Sequence, residues 1–155
     1  MSGIAGKAPS VSPFDISAFA AIFEKLPRPY LVLDTHFNIV AQNCAHAAVT
    51  GTTPNVTVGR PLFEVFPDNP DDYSADGVSK LRASLLCVLN TRQTHLMETQ
   101  RYDVQKGVAT GGGFETRYWR VTNVPILGDD GYVQWILNCP EDVTELTSLR
   151  TGGAL

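Results

Sequence analysis

The stretch from Phe114 to Leu146, FETRYWRVTNVPILGDDGYVQWILNCPEDVTEL, constrains the fold more than any other part of the chain. Between Arg117 and Leu127, aromatic and β-branched residues dominate (Tyr118, Trp119, Val121, Thr122, Val124, Ile126), the composition that a pleated, half-buried surface selects. Asp129-Asp130-Gly131 follows, and Asp-Gly between two such runs predicts a hairpin, because glycine accepts positive φ without a Cβ clash. Tyr132 to Leu137 is nearly continuous apolar sequence, which predicts a strand that is central or buried on both faces. Asp142 ends it. Its carboxylate can accept hydrogen bonds from the free N–H groups of a new helix, with Glu145 three residues on completing a capping-box-like pattern. A sheet that hands over abruptly to an exit helix suits a module that transmits a change.

In chain order, residues 1–11 are rich in Gly, Ala and Ser, which predicts a disordered tail. Ser12-Pro13-Phe14-Asp15 reads as a helix start, with serine as N-cap and proline at the first helical position. The helix predicted over 12–26 carries two apolar stripes: Ile16, Phe19, Ala20, Phe23 and Leu26 on one face, Phe14, Ala18 and Ile22 on another. Two apolar faces imply two contacts. Either the helix sinks into a groove of its own domain, or it covers the sheet on one side and meets a second subunit on the other. Pro27-Arg28-Pro29 stops it, since neither proline can donate a hydrogen bond and each restricts the residue before it.

Tyr30 to Leu33 and Ile39 to Ala41 predict a hairpin about the Asp34–Asn38 turn, and Asn43 caps a short helix that Gly51 ends. Gly59-Arg60-Pro61 opens a helical turn, LFEVF, that Pro67 stops, and Asp68 to Ser74 is an acidic loop. Val78, Leu81, Leu85 and Val88 define the core face of the longest internal helix, with Asp76 favouring its N-terminus. Thr94 to Gln105 predicts a strand, and Gly107 to Gly113 a flexible connection. Two strands, helices, then three antiparallel strands make an α+β plan with helices on one sheet face.

Composition narrows the function. A chain of 155 residues, 43% hydrophobic and 18% charged, is one domain with a real core plus tails. A net charge of −4 argues against nucleic acid, which calls for a clustered basic surface. No apolar run is long enough to cross a bilayer, and the N-terminus predicts no signal peptide. Cys44, Cys87 and Cys139 lie far apart with no C-x-x-C, which fits free thiols in a reducing cytoplasm. Cys44 reads as a small buried filler.

From about Leu26 to Leu146 the chain resembles the PAS domain family. The matching pieces are LVLDTHFNIVAQN for the first hairpin, VGRPLFEVFPDNP for the short helices, and the final hairpin running into EDVTEL, whose Asp142-Val143-Thr144-Glu145 matches the ending typical of such domains. The resemblance implies a five-stranded antiparallel sheet with short helices on one face, cupping a small cavity. It places the domain over 27–146, with an exit helix and tail over 147–155. It implies a cytoplasmic sensory or signal-transduction module that binds a small ligand or a partner protein. Asp142, Thr144 and Glu145 would relay the change to an output domain or partner, for example a sensor histidine kinase or regulator of a two-component system. The family's N-terminal helix often builds a dimer, here through Phe14, Ala18 and Ile22. No phosphoacceptor, nucleotide-binding or DNA-binding region follows, so the chain reads either as a fragment of a longer sensor or as a stand-alone domain. A ligand-free dimerisation domain is the alternative function.

The expected cavity wall draws on Leu81, Leu85, Val88, Met97, Tyr118, Trp119, Val121 and Trp135, with Arg101, Arg117 and Asn123 as polar anchors. Against this stands the reading that the same residues simply fill the core. The flavin photoreceptors of the LOV branch use a cysteine in an Asn-Cys-Arg-Phe-Leu-Gln-like phrase after the short helices. Asn43-Cys44 stands earlier and is followed by Ala-His-Ala, a departure that argues against flavin. Haem-binding members commonly supply a histidine from the long helix, which has none here. His95 with Met97 on the next strand is the remaining axial pair, a weak basis for haem. The identity of any cofactor stays open. No metal site is expected, because His36, His46 and His95 lack ligand spacing and Asp68, Asp71, Asp72 and Asp76 show no EF-hand register. The chain carries no G-x-S-x-G, no H-E-x-x-H and no phosphate-cradling glycine loop, so no catalytic residue is expected.

Overall fold

The computed structural model describes residues 16–153, with side chains through Arg150. The predicted tail over 1–11, the Ser12-Pro13 helix start and Phe14 lie outside the described residues. The elements are α1 (Ile16–Lys25), β1 (Leu31–Leu33), β2 (Ile39–Gln42), α2 (Cys44–Thr50), α3 (Pro54–Thr57), α4 (Leu62–Val65) and α5 (Gly77–Thr91). Then come β3 (His95–Leu96), β4 (Gln100–Arg101), β5 (Val104–Gln105), β6 (Phe114–Glu115), β7 (Tyr118–Leu127), β8 (Val133–Asp142) and α6 (Thr144–Gly153). The main sheet is antiparallel in the order β2-β1-β8-β7-β3, with β4 continuing beside β7. It therefore fills five strand positions, as the α+β reading expects.

Local chemistry explains the first half. The Asp34 carboxylate accepts from the N–H groups of His36 and Asn38 and from the Asn38 amide, which folds the first hairpin turn. Asn43 is fully buried. Its Oδ1 accepts from the N–H groups of Tyr30 and His46, and its Nδ2 donates to the Arg28 carbonyl, so one side chain caps α2 and fixes the chain entering β1. Gly51 ends α2 in the left-handed conformation, φ 66°. The four-residue α3 is too short for periodicity to reveal. Asp76 does not cap α5. The Asp68 carboxylate accepts from the Val78 N–H instead, while Asp76 pairs with Lys80. Gly77 starts α5 because a Cβ there would stand 2.6 Å from the Tyr102 ring.

Three expectations are corrected. The strand expected over Thr94–Gln105 is broken into β3, β4 and β5, and β5 leaves the sheet to form a separate ribbon with β6. Leu96 pairs with Thr122 but Gln100 pairs with Trp119, so one extra residue is inserted between β3 and β4, a bulge. Second, β8 takes the central position that the sequence allowed, but Trp135, expected on the cavity wall, lies on its outer face and is 36% exposed, while Ile136, Asn138 and Pro140 face the core. Third, α1 does not cover the sheet. It packs against α2 with no residue buried, leaving Ile16 and Ile22 exposed.

The core lies between the inner sheet face and α2, α4 and α5, where Leu31, Leu33, Ile39, Leu85, Val88 and Ile136 are almost wholly excluded from water. Among the described residues, no helix is long and apolar enough to cross a membrane.

Candidate functional site

Between the sheet and the short helices lies a mostly apolar, open-mouthed cavity, with about 500 Å³ of space between its walls when the solvent-filled mouth is counted; small-molecule sites share this make-up of apolar walls with a few polar groups. Its floor is the inner sheet face: Leu31 of β1, Gln100 of β4, Trp119 and Val121 of β7, and Asn138 and Pro140 of β8. Its roof comes from His46 and Thr50 of α2, Leu62 and Phe66 around α4, and Leu81 of α5, with Tyr102 and Val104 at the side.

Of the expected wall residues, the structure brings Leu81, Trp119 and Val121 to the cavity. Leu85, Val88 and Met97 are buried beside it and fill the core. Tyr118 and Trp135 do not line it. Each alternates with an inward neighbour, Trp119 and Ile136, and so stands on the other sheet face. The expected anchors also fall elsewhere. Arg101 pairs with Asp103 and Asp72, and Arg117 with Glu115 and Asp142. Asn123 is buried but belongs to a closed hydrogen-bonded seam: its Nδ2 donates to Ser84 Oγ at 2.9 Å, and its Oδ1 accepts from Asn138 at 2.8 Å. The same Ser84 hydroxyl meets His95 Nδ1 at 2.7 Å.

That seam occupies one His95 nitrogen, and neither His95 nor Met97 lines the cavity, so the pair expected for haem does not come to it. Cys44 is not a buried filler. It is exposed on α2 with its thiol directed at Glu24 of α1, away from the cavity. Among the described residues, no cluster of His, Cys, Asp and Glu could hold a metal ion.

The polar residues that do line the cavity escaped the pattern-based reading. His46 is buried, with its ring edge-on to Phe66. Gln42 Oε1 accepts from the Thr57 hydroxyl, which turns the Gln42 amide N–H toward His46 Nδ1 at 2.9 Å. Nδ1 is thus an acceptor, and the neutral ring carries its proton on Nε2. Burial lowers the His46 pKa from 6.5 to about 3. Gln100 is 5% exposed, and neither its amide nitrogen nor its amide oxygen has a hydrogen-bond partner. For the first, the sequence offers only the Asn43 cap, which sets His46 in the first turn of α2. Nothing in the sequence flags the second, because the bulge decides which way Gln100 points.

The cavity wall continues into the exit helix. Trp119 is the register partner of Asp142. One Asp142 oxygen accepts from the N–H and hydroxyl of Thr144, and the other pairs with Arg117. The Thr144 hydroxyl oxygen in turn accepts from the Tyr118 N–H at 2.9 Å. Burial pushes the Asp142 carboxyl up, but the Thr144 and Arg117 hydrogen bonds outweigh it and hold the group below its ordinary value. Asp142 therefore acts from two residues ahead of Thr144, where α6 starts, joining β7, β8 and α6 at one point. Glu145 is exposed in the first turn of α6 and lies outside this group.

An antiparallel sheet that cups a cavity under short helices and leaves through a single helix defines an α+β architecture of the kind used by sensory domains. A family model described as the PAS fold matches residues 23–148, and the chain belongs to that family. Solved structures agree on the fold. The PAS domain of a Colwellia psychrerythraea protein superimposes with a TM-score of 0.61 at 15% identity, covering 83% of this chain and 97% of that one. The PAS domain of BvgS from Bordetella pertussis gives 0.61 at 18% identity, covering 88% and 91%. The PAS domain of nitrogen regulation protein NR(II) from Vibrio parahaemolyticus gives 0.57 at 18% identity, covering 79% and 95%. No curated protein matches the chain in sequence.

Proposed function

We propose that the chain is a non-enzymatic, cytoplasmic PAS sensory module that binds a small molecule in this cavity and relays occupancy through Asp142 to α6. The observation that carries the reading is continuity: Trp119 lines the cavity and is register partner to Asp142, whose other contacts are Arg117 and the start of α6. A ligand that packs better against one setting of Trp119 than another shifts the populations by that difference in affinity. The receiver is an output domain or partner protein, such as a sensor kinase or regulator. Two solved relatives in fold are named for BvgS and for a nitrogen regulation protein, which gives the suggestion its direction.

Native mass spectrometry of freshly purified protein, with an absorption spectrum of the same sample, tests the reading. Extra mass that denaturation releases is expected, without a visible band. A visible band would replace the reading with a haem or flavin sensor. A bare dimer would favour a second reading, a ligand-free dimerisation domain. That reading draws on the exposed apolar side chains of α1 (Ile16, Ile22) and α6 (Leu146, Leu149).

A further inference from the structure

Every other polar side chain on the cavity wall has at least one hydrogen-bond partner, whereas Gln100 has none. Tyr102 donates its hydroxyl to the Phe66 carbonyl, and the Trp119 ring N–H donates to the Tyr102 carbonyl. The Asn138 amide donates to Asn123. The Thr50 hydroxyl is engaged with the His46 carbonyl and Thr52. Only for Gln100, among the described residues, do both ends of a buried side-chain amide lack a partner. Native proteins rarely leave buried polar atoms unpaired, and each exception calls for a reason. The bulge between β3 and β4 supplies the geometry. It puts Gln100 opposite Trp119 on the inner face, and both side chains line the cavity.

We infer that the cavity takes a neutral, ring-sized ligand carrying a lactam or carboxamide edge, which docks its adjacent N–H and C=O on the Gln100 amide. A side-chain amide presents one acceptor and one donor side by side, and the matching partner is another cis-amide edge. The apolar body of the ligand would pack against Trp119, Phe66 and Leu81. Charge is selected against. The lining holds no Lys, Arg, Asp or Glu, and burial keeps His46 neutral, so an ion entering there would lose its hydration with no counter-charge. The inference deepens the ligand-sensing reading and rests on it.

The test is an NMR and thermal-shift titration of the whole chain with four small probes: benzamide, 2-pyridone, methyl benzoate and toluene. Benzamide and 2-pyridone carry the full edge, methyl benzoate keeps the carbonyl but lacks the N–H, and toluene keeps only the ring. Benzamide should bind about tenfold more tightly than methyl benzoate or toluene, the scale of one well-placed hydrogen-bonded edge. Gln100→Leu should erase that preference while leaving toluene binding unchanged or stronger. The comparison among probes on the unaltered chain stands even where the variant does not fold. Equal binding of benzamide, methyl benzoate and toluene would overturn the amide-edge assignment and leave the cavity reading intact. Failure of all four to bind would overturn both.

Discussion

His46 is buried on the inner side of α2 with its Nδ1 accepting from Gln42, and burial holds its pKa at about 3 against 6.5 in an unfolded chain. The folded state therefore resists a proton that the unfolded state takes up readily. Stability is unaffected above pH 6.5 and falls as the pH drops below it, by up to about 1.4 kcal/mol per pH unit until the folded value is reached. Asp34, Asp103 and Asp142 are also held below their ordinary value of 3.8, but they act in a lower window. Their contribution is complete above that value and is lost as the pH falls from it through their folded pKa. Urea unfolding at pH 7.5, 6.5, 5.5 and 4.5 separates the two. The free energy should decline across the last two steps, and His46→Gln should flatten the decline whatever it does to stability at pH 7.5. An unaltered slope in the variant would remove His46 as the source.

At the scale of elements, the junction of β7, β8 and α6 depends on a few side chains. Asp142→Ala removes the acceptor for the Thr144 N–H and hydroxyl and leaves Arg117 with Glu115 alone. Hydrogen bonds to a charged group of this kind contribute about 2 kcal/mol. The cost should fall on α6, with amide exchange over residues 144–150 faster by about tenfold or more, while β7 and β8 keep their protection. Melting of the whole sheet in the variant would make Asp142 a structural cap and withdraw support from the relay. The Asp142 side of this junction was legible from the sequence, because a carboxylate between an apolar strand and a helix has few other uses. Arg117 as its partner was not. Pairing across β7 and β8, which sets Trp119 opposite Asp142, brings the Arg117 guanidinium to that carboxylate rather than to the cavity.

For the whole molecule, two apolar surfaces compete as the interface of the proposed dimer. The sequence pointed to α1 through the stripe that holds Ile22, which is exposed, as is Ile16 on the other stripe. The outer sheet face competes, with Leu96, Ile126 and Trp135 all at least 36% exposed on one side of β3, β7 and β8. Deleting residues 1–26 should convert a dimer to a monomer, measured by size-exclusion chromatography with light scattering. A truncated chain that remains dimeric would assign the interface to the outer sheet face, and Trp135→Arg should then break it.

The sequence by itself determined the order of the longer elements, the two hairpins, the Asn43 and Gly51 caps and the strand-to-helix exit at Asp142, but not α3 or the division of the strand over 94–105. Each of these is set by chemistry within a few residues: turn carboxylates, positive-φ glycine, side-chain caps and short-range periodicity. It also carried the family resemblance through three short phrases in order. Only the tertiary structure decided which residues meet in the cavity. A single inserted residue between β3 and β4 reverses the facing of everything after it, which turns Gln100 inward. Trp135 faces outward although its composition suggests a core residue, because no layer among the described residues covers that side of β8. Facing is a property of pairing register, and register is settled between strands distant in sequence, where local pattern has no reach.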